Sequence, residues 1–230
     1  MNINELENKI TNLESMLFRV VDFMAIGADK IDLYDFINNE AVRRQLELDF
    51  ILMEKSPASN FNMYCQYSLF QIENLLNYYY DIRFRDKFDD AKQYFGNESK
   101  NNVEESTKKG IRVSELPYGT KFTKFAIEYL VDENKKPTKL NKNIQNIAYV
   151  RHTTIHRNTI DIEKYEQDIL NKFEILSKDK SNKTKEDWKL FNLGVKVQFK
   201  HNSSFSLVKR VMIEFIDVIK PLIESHQKGG

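Results

Sequence analysis

The segment Arg151-His-Thr-Thr-Ile-His156 places a permanently charged guanidinium beside one imidazole, His152, and one helical turn and a half before another, His156. These types suit the handling of an anion. Arginine grips an oxyanion bidentately and keeps its proton, while histidine exchanges protons near neutral pH. Cleavage of an RNA phosphodiester calls for such a set, because the substrate carries its own nucleophile, the 2′-OH. A base takes that proton, an acid protonates the departing 5′-oxygen, and a cation meets the charge of the phosphorane. The chemistry requires no metal and no cofactor.

The placement of Arg151 is itself informative. If a helix runs from Leu140 through residue 156, Leu140, Ile144, Ile147, Ala148 and Ile155 form an apolar face about 100° wide, and Arg151 falls inside it. A guanidinium on an apolar stripe is costly unless an anion, a carboxylate or a partner surface meets it. His152 and His156 stand one turn apart at the edge of the stripe and can share a pocket. Arg151 and His156 are about 140° apart on an ideal helix, so one regular helix does not converge them. Two copies meeting across a two-fold axis would, each giving Arg and His to a shared cleft. Distortion of the last turn by the β-branched run Thr153-Thr154-Ile155 would have the same effect. Arg157 and Asn158 extend the cluster as candidate RNA contacts.

Other readings of the same residues stay open. A carboxylate such as Glu73 could neutralise Arg151 while the histidines hydrogen-bond in the core, which leaves a non-catalytic interaction module that dimerises through its N-terminal helix. His152 and His156 have the i, i+4 spacing of zinc ligands, yet no catalytic Glu follows the first His and no Cys cluster exists, so no metal is assigned. Nothing resembles a P-loop, a nucleophile elbow or a kinase loop set.

The elements that must position these groups read as helices. Seven Gly and four Pro in 230 residues are few, which favours long helices over turn-rich sheets. Apolar residues from Ile3 to Met24 keep a three-four spacing, either a coiled-coil seam or a bundle face. A short helical stretch at Ile31–Ile37 precedes a helix over Glu40–Met53 that ends near Ser56-Pro57. Asn60–Arg85 reads as the central core helix, with Tyr78, Tyr79 and Tyr80 as packing groups rather than base-stacking platforms. The polar stretch Gly96–Gly110 reads as a mobile loop. Helices follow over Lys121–Val131, from Thr138 onward, over Ile162–Leu176 and over Ser206–Ser225. Val195–Phe199 alternates like a strand, so residues 195–205 are either a helix end or a short β-hairpin. The expected organisation is an all-α bundle, with a helical extension at 1–57 and a helical domain at 58–228.

Charge and composition narrow the partners. The 35 basic and 34 acidic side chains nearly cancel, so any RNA site is local rather than a property of the whole surface. Cys65 has no partner cysteine and reads as a buried thiol in a reducing compartment. No apolar run spans a bilayer and Met-Asn-Ile-Asn-Glu lacks a signal pattern, so a cytoplasmic chain without membrane contact is expected.

Residues 151–156 resemble the R-x4-6-H motif of HEPN domains, in the form with a polar residue directly after the arginine. The motif covers six residues, and a helical pattern similar to the family's bundle extends over 58–225. The resemblance implies an all-α bundle that dimerises through the motif helix and cuts single-stranded or loop RNA without a metal, leaving a 2′,3′-cyclic phosphate and a 5′-hydroxyl. It makes Arg151 and His156 the signature pair and puts His152 in the variable polar position. It also implies a toxin or phage-defence role, with an antitoxin or regulatory protein as a partner. Asn158 stands where toxins silenced by nucleotidyltransferases carry Tyr, and no Gly-rich βαβ pattern supplies a ligand-sensing domain.

Overall fold

A computed structural model describes residues 32–85, 87–96, 116–155, 162–178 and 183–228, with positions 13, 14 and 17. Apart from those three positions, the helix expected over 3–24 lies outside them, as does all of the polar stretch after Gly96. Among the described residues a 3₁₀ turn at Asp32–Tyr34 is followed by eight α-helices: α1 Glu40–Glu54, α2 Phe61–Arg83, α3 Phe88–Phe95, α4 Tyr118–Tyr129, α5 Lys139–Ile155, α6 Ile162–Lys178, α7 Lys185–Asn202 and α8 Phe205–Lys228. Among the described residues there is no strand, only an isolated antiparallel bridge between Val131 and Pro137. The all-α expectation therefore holds.

Local chemistry sets most helix ends. Asn39 and Asn60 cap α1 and α2 by accepting from the backbone N–H of Val42 and Met63. Thr184 and Asp187 form a reciprocal capping box on α7. Gly96 ends α3 with φ 62°, a conformation that glycine adopts without steric cost. α3 itself has no counterpart in the sequence reading. Its eight residues are too short for periodicity to declare, and it is held by Phe95 and Ala91 in the core.

α2 is the axis of the bundle, packed against α1, α5 and α8, while α6 and α7 form an antiparallel pair that joins through α7 to α5. Phe61, Tyr64, Cys65, Leu69, Ile72, Leu75, Leu76 and Tyr78–80 of α2 are buried, a breadth that only a helix covered on most sides shows. Tyr79 and Tyr80 are fully buried, as their packing role requires, and Cys65 is a buried free thiol. Leu46, Phe50 and Met53 of α1 enter the same core as α2 and α8, so the described part of the expected extension, 32–57, packs with the main body.

The β-hairpin alternative at 195–205 is corrected. α7 runs unbroken to Asn202, with Ser203 as an extended C-cap. Alternation over five residues does not distinguish a strand from a helix whose neighbours cover it on two sides. Here Val197 is fully buried, Phe199 packs on Phe61 with ring centroids 6.5 Å apart, and Gly194 faces α6. A Cβ at Gly194 would come within 2.4 Å of the Phe173 Cβ, so the helix pair approaches as closely as it does only because position 194 is bare.

Candidate functional site

α5 carries residues 151–155 of the motif, and its start is anchored first. The Leu130 carbonyl accepts from Thr138 N at 3.0 Å and from Thr138 Oγ1 at 3.1 Å, and Thr138 Oγ1 accepts from Asn141 N at 3.3 Å. The Asp132 carboxylate receives the backbone N–H of Asn134 and Lys136 at 2.9 and 2.8 Å, which closes the turn between α4 and α5. Ile144, Ile147 and Val150 are then fully buried against the bundle, and Leu140 and Ala148 pack at the edge of the core. That rotational setting brings Arg151 onto α2.

Arg151 is half-buried, with 27% of its side chain exposed. Its Cζ lies 5.0 Å from the centre of the Phe70 ring, and Nη1 is 3.6 Å from Glu73 Oε2, so both contacts come from one turn of α2. The carboxylate weighed as its partner is thus present. The contact is an ion pair longer than a hydrogen bond, and Arg151 Nε is buried with no acceptor at all. The guanidinium is located by Phe70 and Glu73 but keeps unsatisfied donor capacity.

A cleft of about 540 Å³ opens beside it. Arg151, His152, Gln145 and Tyr149 of α5 form one wall, Tyr118 and Phe122 of α4 another, and Lys196 reaches in from α7. His152 is at the exposed rim. The Lys196 ammonium lies 6.0 Å from the centre of the Tyr149 ring. Tyr118 stacks on Phe122 with centroids 5.5 Å apart and planes 18° apart, and its hydroxyl is buried without a hydrogen-bond partner. Burial pushes the Tyr118 phenol well above its ordinary range; the Glu73 carboxylate adds to that and Arg151 opposes it. The phenol is a donor at every physiological pH. Deeper in, Lys121 donates to Asn77, and burial draws its ammonium downward against the pull of Glu73 and Asp81.

The structure therefore brings Arg151 and His152 together at one cleft. His156, Arg157 and Asn158 lie outside the described residues. Among the described residues, no group of three or more His, Cys, Asp or Glu side chains could hold a metal ion. Tyr118, Lys196 and Gln145 are site residues the sequence reading did not find. Gln145, Tyr149 and His152 recur at i, i+4 and i+7, so a wheel of α5 centred on His152 exposes that stripe. Tyr118 and Lys196 have no such signal, because they arrive from other helices.

A second arginine cluster lies at the far end of α2. Arg83 donates to Glu128 at 2.9 and 3.1 Å and to Tyr79 at 2.8 Å, with Tyr94 at 3.5 Å, and Tyr94 in turn donates to Glu128. Burial alone would raise the Glu128 carboxyl, but the hydrogen bonds from Arg83 and Tyr94 outweigh it and hold it low. Buried Glu166 on α6 is met by Lys200 at 2.6 Å and His201 at 2.9 Å from α7.

The fold and cleft define an all-helical protein with a cationic, aromatic-walled groove on its motif helix. No family model, no curated protein and no solved structure matches the chain. No helix of the described residues is long and apolar enough to cross a membrane.

Proposed function

We propose that this chain is a HEPN-type endoribonuclease that cuts single-stranded or loop RNA without a metal, acting in growth arrest or phage defence. One observation carries the reading: Arg151 is fixed at the edge of a cleft with His152 and Lys196 nearby, yet its Nε has no partner. A buried donor left without an acceptor calls for a ligand or water, and a cleft lined by a guanidinium and a lysine suits an anion.

In this mechanism Arg151, supported by Lys196, holds the scissile phosphate. His156 removes the 2′-OH proton, and the 2′-oxygen attacks phosphorus as the bond to the 5′-oxygen breaks. A second imidazole, His152 or the His156 of a second copy, gives its proton to the leaving oxygen. The products are a 2′,3′-cyclic phosphate and a 5′-hydroxyl, and DNA resists because it lacks the nucleophile. Arg157 and Asn158 extend the RNA contact, and dimerisation along the motif helix supplies the second copy. An antitoxin or regulatory protein would restrain the activity by covering this cleft.

A second reading rests on the Arg151–Glu73 ion pair, which suits a non-catalytic interaction module. Incubation with total RNA in EDTA separates the two. The nuclease reading expects fragments with cyclic-phosphate ends that are lost in His156→Ala. Cleavage confined to divalent-metal buffers, or unchanged in that variant, sinks it.

A further inference from the structure

We propose that Tyr118 is a phosphate-binding residue of this cleft, its hydroxyl and the Nε–H of Arg151 together holding the oxygens of one phosphate group. The source of that phosphate as RNA backbone rests on the ribonuclease reading; the binding itself does not.

Two residues that line the same cleft carry buried donors without acceptors, and among the described residues these are the two buried side-chain polar atoms that no hydrogen bond reaches. Native interiors satisfy nearly all such groups, so two exceptions on residues of one cleft mark a place where an acceptor belongs. Both are preorganised. The Tyr118 ring is pinned by its stack on Phe122, and the Arg151 guanidinium by the Phe70 face and Glu73. Tyr118 is also the first residue of a twelve-residue helix whose preceding Pro117 makes no side-chain cap, so a positive helix end stands at this wall.

The ligand class follows from the donors. A protonated phenol, a guanidinium and the Lys196 ammonium offer hydrogens and positive charge, which fits an oxyanion. The cleft, at about 540 Å³, is in the size range of small-molecule sites, large enough for a nucleotide unit around the phosphate. Glu73 beside Arg151 offsets one of the two positive charges of Arg151 and Lys196, so the cleft stays net positive and selects on donor geometry as well.

The test uses the whole chain and two probes: inorganic phosphate, and a short single-stranded deoxyoligonucleotide that has phosphodiesters but no 2′-OH. Phosphate at several times its Kd should raise the wild-type melting temperature by about 3 °C. Tyr118→Phe removes an unsatisfied hydroxyl and nothing else, so without ligand it should melt at or above the wild-type temperature. Its affinity for both probes should fall about tenfold, the loss of one hydrogen bond to a charged group. Unchanged affinity in Tyr118→Phe, no phosphate effect on wild type, or a variant that melts well below wild type overturns the assignment. The enzyme reading fails separately. Phosphate binding without RNA cleavage removes the nuclease and keeps the site, whereas full cleavage by Tyr118→Phe keeps the nuclease and removes the site.

Discussion

Arg83 at the C-terminal end of the central helix and Arg151 against its middle use the same ingredients, a guanidinium, a glutamate and aromatic rings, and they end in opposite states. Arg83 is closed: two hydrogen bonds to Glu128, one to Tyr79, a fourth to Tyr94, and the Tyr94 ring 4.4 Å beneath its Cζ. Arg151 is open: one ion pair at 3.6 Å, one ring at 5.0 Å and a buried Nε with no acceptor. A saturated cluster has its energy in the fold and nothing left to offer a ligand. An unsaturated one beside a cleft stabilises the fold less and keeps directed donors for something else. Saturation, rather than residue type or burial, distinguishes the two clusters.

The largest effects should come from breaking each cluster at its arginine or its motif histidine. Arg151→Ala and His156→Ala should each lower RNA cleavage by about 10²–10³-fold, read as initial rates on total RNA, with little change in melting temperature. Arg83→Ala should do the reverse. It removes the two hydrogen bonds that Glu128 accepts from Arg83 and those to the Tyr79 and Tyr94 hydroxyls, and should cost about 2 kcal/mol, or roughly 6 °C in Tm, with cleavage per folded molecule unchanged. Equal destabilisation by the two arginine variants would erase the distinction.

The glutamates should sharpen it at smaller scale. Glu128→Gln should destabilise by about 1 kcal/mol in urea, because it weakens charge-assisted bonds already made. Glu73→Gln should cost less and should tighten binding of a deoxyoligonucleotide about threefold, since it removes a negative charge next to an anion site. Weaker binding in Glu73→Gln would favour the interaction-module reading.

The smallest effect is a pH dependence at the closed end. His226 packs edge-on against Tyr79, and burial together with the nearby Arg83 and Lys87 charges lowers its pKa below the ordinary 6.5. As pH falls through 6.5 the unfolded chain takes up this proton before the folded chain does, so stability falls between there and the lower folded value. Wild type should therefore lose more of its urea midpoint than His226→Gln on going from pH 7 to about 5.5. Identical losses would place His226 outside the cluster's electrostatics. Glu166 acts one step lower. Its folded pKa is held below 4.5 because hydrogen bonds from His201 and Lys200 outweigh burial, so its contribution is present above that value and is lost as pH falls through the folded pKa.

Much of the fold was legible. Asn39 and Asn60 act locally, within three residues of the helix starts they set and close to where helices were expected, whereas the Thr184 cap of α7 went unread in a lysine-rich stretch. The α2 stripe through Cys65, Ile72 and Tyr79 declared the core helix by the same locality. The strand-like Val195–Phe199 left helix and hairpin undecided because its burial comes from two sides, from α6 and from the bundle, which no single-face pattern encodes. Of the candidate site, Arg151 and His152 were legible as polar groups on or beside an apolar stripe, and Glu73 as a carboxylate for Arg151. Tyr118 looked like any aromatic in a turn.

By itself, then, the sequence determined helix content, most helix limits and the awkward position of one arginine, because periodicity, caps and charge are properties of neighbours along the chain. Only the tertiary structure decided which donors are saturated. Glu128 reaches Arg83 across 45 residues, while nothing reaches Arg151 Nε or the Tyr118 hydroxyl. That outcome depends on how four helices pack around one cleft, and no local pattern carries it.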